Sequence, residues 1–249
     1  MSTEILSIAE KQIDIAFAGH DAPLLQKEAI FVLNNFAINL CDVYSNVLNF
    51  IKPVNVALKS DPAFLFKPEY VSSLKKMLNY SERVMHRDLG LLEAKLSFDS
   101  WFYEITRTGI LVSNYNDSEL VNITDAAGFL GVTRPTLYKY IERGLETVGE
   151  KNNQRIPRFI LEAWRDPKVA FQLQWIYQLK RARDESPQQR LDRINRSIQE
   201  FELEYGNSFE RLFGKLNEQE IDAHHEAVDI YDWRNLEKEK QALLVRLRR

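Results

Sequence analysis

Arg134, Thr136, Tyr138 and Lys139 crowd one short stretch that also carries Leu137 and Ile141, four residues apart. Apolar residues at that spacing share one side of a helix, so the other four turn toward solvent or a ligand, with Tyr140 at the edge. Their chemistry is that of nucleic-acid contact. An arginine pairs bidentately with guanine, and a threonine meets a thymine methyl or a hydroxyl-compatible edge. Arg134 and Thr136 lie at the N-terminal end of Arg134–Arg143, the end that meets base edges when a helix enters the major groove. Tyr138 and Lys139 suit the phosphate backbone, which sets register rather than sequence preference. Thr133 and Arg143 bound the stretch and complete the set of candidate contacts.

Such a helix needs neighbours to aim it. Thr124 is read as the N-cap of a preceding helix whose Ala126, Ala127, Phe129 and Leu130 turn inward. Gly131 gives the turn a permissive backbone, Val132 is its buried residue, and Thr133 caps the second helix. Pro135 falls in that helix's first turn, where its missing N–H costs nothing. Gly144 ends it. Leu145–Val148 and Arg155–Ile156 then flank the polar tip Gly149-Glu150-Lys151-Asn152-Asn153, the pattern of a small β-hairpin. Lys151, Gln154 and Arg155 are placed to meet phosphate or an adjacent minor groove. Pro157 opens a closing helix on which Phe159, Ile160, Leu161 and Trp164 face inward.

The segments ITDAAGFLGVTRPTLYKYIERG and IPRFILEAW together resemble the excisionase-like branch of the MerR-type winged helix-turn-helix proteins. The resemblance covers roughly a fifth of the chain. It implies DNA binding through Arg134, Thr136, Tyr138, Lys139 and the wing residue Arg155. The chain departs from the family's basic wing in carrying Glu146 and Glu150. The alternative is a helix-turn-helix used only for packing or protein contact.

Flanking regions read as helical. Asp21 and Pro23 start a helix with apolar positions from Leu25 to Ile51, stopped by Lys52-Pro53. A second long helix is predicted from Pro68 through Leu96, and a third apolar stretch spans Trp101–Val112. The fold expected is therefore mainly α. It comprises an N-terminal helical bundle over 1–116 whose role the sequence does not assign, a winged helix-turn-helix with a β-hairpin wing over 117–166, and a charged helical tail over 167–249. Within the tail a helix starts at Asp166-Pro167, Asp184–Pro187 forms a hinge, and breaks fall at Gly206 and near Asn217.

The tail contains IQEFELEYGNSFERLFGKL followed by an acidic-aromatic element, and it resembles short prokaryotic antitoxin-type proteins. Phe201, Glu202, Tyr205, Gly206, Ser208, Phe209, Phe213, Asp232 and Trp233 carry that resemblance. It implies a tail that binds a protein partner such as a cognate toxin. Tyr205, Phe209, Phe213, Tyr231 and Trp233 are the candidate contacts, since aromatic residues among acids suit a groove with basic surroundings. A dimerisation helix or a solvated arm is the alternative.

The formal net charge of −3 conceals a local excess: residues 133–183 hold 11 basic and 5 acidic side chains. Phosphate attraction is local at ordinary salt, so this balance fits double-stranded DNA as a partner. A homodimer is expected, because one such module buries little surface and gains affinity by doubling. The single cysteine, Cys41, rules out an intramolecular disulfide and reads as an inert buried thiol. His224 and His225 lack a third ligand at metal spacing, and His86-Arg87-Asp88-Leu89 lacks the motifs that accompany a kinase loop. No P-loop, GxSxG or HExxH occurs. The reading is of a cytoplasmic, non-enzymatic transcriptional regulator of prokaryotic or phage type, without cofactor, metal or membrane partner. The alternative is an antitoxin or adaptor acting through the tail.

Overall fold

The computed structural model describes residues 3–150, 153–184, 186–222, 224 and 226–247. Among these the fold is mainly helical with two small antiparallel sheets, and the chain divides once, into Met1–Arg183 and Asp184–Arg249.

In the first unit, α1 (Thr3–Ala18) and α2 (Ala22–Val43) are joined by a turn in which Asp21 accepts a hydrogen bond from the Leu24 N–H at 2.9 Å. Leu6, Ala9, Ile13 and Ala16 recur at helical spacing and are buried in one core with Leu25, Ala29, Val32 and Phe36. The expected run of α2 to Ile51 does not occur. The helix stops at Val43, and Leu48–Leu58 forms strand β1. Ile51, Val54 and Val56 are β-branched, and the partner strand that rewards an extended backbone lies more than 45 residues downstream. Pro53 is tolerated because each strand of a two-stranded ribbon has a free edge.

After the short α3 (Pro62–Leu65), the predicted helix from Pro68 to Leu96 is two helices, α4 (Pro68–Met85) and α5 (Leu91–Ile105). Arg87, at φ 61°, turns the chain between them. The Trp101–Val112 stretch changes from helix to strand at Thr106, where β2 (Thr106–Tyr115) begins and pairs antiparallel with β1. The orphan carbonyls at the end of α5 explain that stop. The Thr106 hydroxyl donates to Phe102 O at 2.5 Å, and the Arg183 guanidinium donates to Tyr103 O and Thr106 O at 2.7 and 2.8 Å. The N-terminal region is thus helices plus a long β-ribbon rather than a purely helical bundle.

Next come β3 (Leu120–Asn122), α6 (Ile123–Leu130), α7 (Arg134–Arg143), β4 (Arg155–Pro157), α8 (Arg158–Ala163) and α9 (Pro167–Asp184). Their core holds Ala126, Ala127, Leu137, Leu145, Ile156, Ile160 and Trp164, and it includes Leu96 of α5 and Leu173 of α9. Val148, Phe159 and Ile176 in turn pack against the N-terminal core. Because the two cores interlock, neither 116 nor 166 divides compact units, and α9 belongs to the first unit rather than to the tail.

The second unit contains α10 (Pro187–Tyr205), α11 (Phe209–Leu212), α12 (Glu218–Asp222) and α13 (Ala227–Leu247). Ser186 and Gln189 form a reciprocal capping box that starts α10. Ile194, Ile198, Phe209, Phe213, Ile221, Ile230 and Trp233 form its core. No helix among the described residues is long and apolar enough to cross a membrane.

Candidate nucleic-acid interface

α7 carries the residues singled out above. Leu137 is fully buried, which fixes the helix's inward side, and Tyr140 is half-buried 5.8 Å from the Trp164 ring. Arg134, Tyr138, Lys139 and Arg143 are exposed on the other side together with Glu142. Thr133 caps α7: its Oγ1 accepts from the Thr136 N–H at 3.3 Å and lies 2.9 Å from Thr136 Oγ1. Thr136 is therefore half-buried and engaged with the cap rather than presented to a base edge. The turn into α7 runs through Gly131 at φ 68°, a left-handed conformation that a Cβ disfavours.

α6 starts two residues earlier than expected. Asn122, not Thr124, is its N-cap, accepting from the Asp125 N–H at 3.0 Å. Asn122 wins because β3 delivers it in extended conformation, whereas Thr124 is already inside the helix. The Thr124 hydroxyl instead accepts from Arg134 Nη2 at 2.6 Å, which ties the start of α7 to the start of α6. Arg134 and Tyr138 line an open cleft of about 390 Å³ together with Asn122, Thr124, Asn153 and Gln154.

The expected wing is reduced to a single bridge. Val148 and Arg155 exchange two backbone hydrogen bonds of 2.9 Å, while the sheet partner of β4 is β3. Arg155 is not a free tip residue, because its Nη2 donates to Asp117 Oδ1 at 2.9 Å. Lys151 lies outside the described residues. Glu150 is exposed at the tip.

Glu146 is not part of any outward surface. Lys95 of α5, nearly fully buried, reaches Asp99 Oδ2 at 2.6 Å and Glu146 Oε2 at 2.9 Å, and the Tyr115 hydroxyl donates to Glu146 Oε1 at 2.5 Å. Burial opposes the charge on Lys95, but the two carboxylates outweigh it and hold the ammonium well above its ordinary range. Burial likewise opposes ionisation of Glu146, and Lys95 with the Tyr115 hydroxyl more than offsets it, so its carboxyl titrates below the usual range. Burial pushes Asp99 up despite Lys95. The ionic cluster pins the segment after α7 to α5. Its trace in the sequence is a Lys–Asp pair at i,i+4 inside the apolar α5, a pattern that sequence reasoning passed over.

The tail aromatics proposed as partner contacts turn inward. Trp233 is fully buried, stacked on Phe201 at 5.3 Å and meeting Phe209 edge-on at 5.6 Å, and Phe213 is buried beside it. Tyr205 is half-buried, and burial together with its hydrogen bond to Asp229 pushes its hydroxyl up to about 12. Tyr231 donates to Asp222 Oδ1 at 2.7 Å. Phe209, Phe213 and Trp233 belong to the unit's own core, and Tyr205 and Tyr231 are half-buried against it. The rings of Phe209, Phe213 and Trp233 are turned into that core.

Cys41 Sγ accepts from the Ile51 N–H at 3.2 Å, and burial pushes its thiol up, away from thiolate chemistry. Among the described residues no His, Cys, Asp or Glu cluster could hold a metal ion; His224 accepts from the Glu226 N–H at 3.2 Å, and His225 lies outside them. Compared with protein-family models, curated proteins and solved structures, the chain has no match.

Proposed function

We propose that this protein is a transcriptional regulator that binds duplex DNA, with α6 and α7 acting as a helix-turn-helix and α7 entering the major groove. The observation that carries the reading is α7 itself. Its inward side is locked by Leu137, and its outward side presents Arg134, Tyr138, Lys139 and Arg143 without a covering element. Arg134 is the base-reading residue, held by Thr124 at the N-terminal end of the helix. Lys139 and Arg143 contact phosphates, and Asn153 and Gln154 share a cleft with Arg134 and Tyr138. The wing contributes little, since Arg155 is paired with Asp117 and Glu150 is acidic. A homodimer supplies the affinity that one small module lacks.

Selection of bound duplexes from a randomised library, followed by titration across a salt series, tests this. A single enriched motif whose affinity falls steeply between about 50 and 200 mM salt supports the reading. Equal, weak binding to every duplex rejects it and returns α6–α7 to a packing role.

A second reading, capture of a protein partner by Asp184–Arg249, is favoured by that segment forming a unit with its own core. The contact face would lie at outward apolar residues such as Leu203, which is 84% exposed. Co-purification with the product of an adjacent gene, lost on Leu203→Glu, tests it.

A further inference from the structure

α9 buries Ala170 and Leu173 in the core it shares with α7 and turns Phe171 and Trp175 outward. These two rings, one turn apart, are 70% and 57% exposed, the most exposed aromatic side chains among the described residues. Together they leave on the order of 300 Å² of apolar surface in water, a patch of the size that marks an interaction site. Both line a groove of about 590 Å³ whose other lining comes from α4 and α5, so it lies wholly within the first unit. Met77, Leu96 and Trp101 give that groove a buried apolar lining, able to receive a ring from another molecule.

Charge identifies the occupant. Lys76, Glu93 and Glu104 are exposed in the same lining, and none of them is in an ion pair among the described residues; Lys76 only rests over the Tyr80 ring. The two carboxylates disfavour nucleic acid. A partner of one charge sign would satisfy some of these groups and face its like at the others. A second copy of this chain brings the same lysine and the same glutamates. About a twofold axis, Lys76 of one copy meets Glu93 or Glu104 of the other. The copy also brings two projecting rings to a groove of the shape that stands beside its own.

We propose that this face of α4, α5 and α9 is the homodimer interface, with Phe171 and Trp175 of each copy seated in the groove of the other and Lys76 paired with a glutamate across the axis. A standard interface buries about 800 Å² on each partner, of which the two rings supply roughly a third. α9 also abuts the end of α7, where a Cβ on Gly144 would meet Tyr177 Cβ at 2.8 Å. Pairing through α9 therefore sets the separation of the two α7 helices. That consequence rests on the DNA-binding reading, whereas association itself does not.

Sedimentation velocity of the full chain from about 1 to 100 μM reads the association directly. A reversible dimer is expected. Phe171→Glu combined with Trp175→Glu should weaken it at least about thirtyfold. The melting curve should stay nearly unchanged, because both rings face water in the single chain. Charge reversal separates pairing from loss of fold: Lys76→Glu should weaken the dimer, and adding Glu93→Lys and Glu104→Lys should restore it. A chain that is monomeric throughout this range, or a dimer untouched by the ring substitutions, overturns the proposal and leaves the groove to a different protein or an apolar small molecule. DNA titration is a separate readout. A dimer that binds no duplex fails the DNA-binding reading and leaves the interface standing, whereas a monomeric chain that binds duplex selectively does the reverse.

Discussion

Lys95 shows how one side chain reorganises the interpretation of its neighbours. Its ammonium holds two carboxylates that would otherwise repel each other in a buried site. Lys95→Met keeps the packing volume but leaves Asp99 and Glu146 facing one another. It should cost about 3–5 kcal/mol at neutral pH. In that variant both carboxyls are raised above their unfolded values, so the deficit should shrink as pH falls through the ordinary carboxylate range; denaturant melts at several pH values check this. In the native protein Lys95 and Tyr115 are both raised. Their stabilisation is present below the ordinary lysine and tyrosine values and should be lost as pH climbs past about 10, where the unfolded chain releases protons first. Gly144 makes a second test. At φ 126° it ends α7 with its Cα against α9, and a Cβ there would meet Tyr177 Cβ at 2.8 Å. Gly144→Ala combines a disfavoured backbone with overpacking and should destabilise the first unit by at least about 2 kcal/mol, read by chemical denaturation.

The elements around α7 make separable predictions. Asn122→Ala removes the cap of α6 and should cost about 1 kcal/mol, whereas Thr124→Ala leaves that cap intact. Thr124→Ala releases Arg134 instead, so it should relax sequence preference in DNA binding while leaving the melting curve almost unchanged. Replacing Lys139 and Arg143 together by alanine should weaken binding to all duplexes alike and lower the salt slope by about 2, one for each lost phosphate contact. Fluorescence anisotropy across a salt series distinguishes the two patterns. The β1–β2 ribbon, by contrast, is an element that local sequence does not announce. Leu48–Leu58 and Thr106–Tyr115 are extended because they pair with each other across three helices, and apolar runs of that length read equally well as helix.

At the scale of the molecule, the division after Arg183 predicts two unfolding events. Trp233→Ala removes the centre of the tail's aromatic core and should cost that unit about 3–5 kcal/mol, leaving the transition of the first unit in place. Hydrogen exchange resolved by segment checks this. A chain truncated after Asp184 should keep the stability of the first unit, since Arg183, which closes the end of α5, is retained. Proteolysis should cut first near the start of α10, where the chain passes from one compact unit to the next.

What the sequence determined by itself was local. The caps at Asp21 and Thr133, the turn at Gly131, the stop at Gly144 and the inward position of Leu137 all follow from residues a few positions apart. Tertiary structure decided everything that depends on distant partners. Glu146 looks like an acidic blemish on a wing until Lys95, 51 residues away, turns it inward. Trp233 looks like an exposed hook until Phe201 and Phe209 close around it. The reason is the same in both cases: whether a charge or an aromatic ring faces water depends on which surfaces pack against it, and that choice is made by burial over the whole unit rather than by neighbours in the chain.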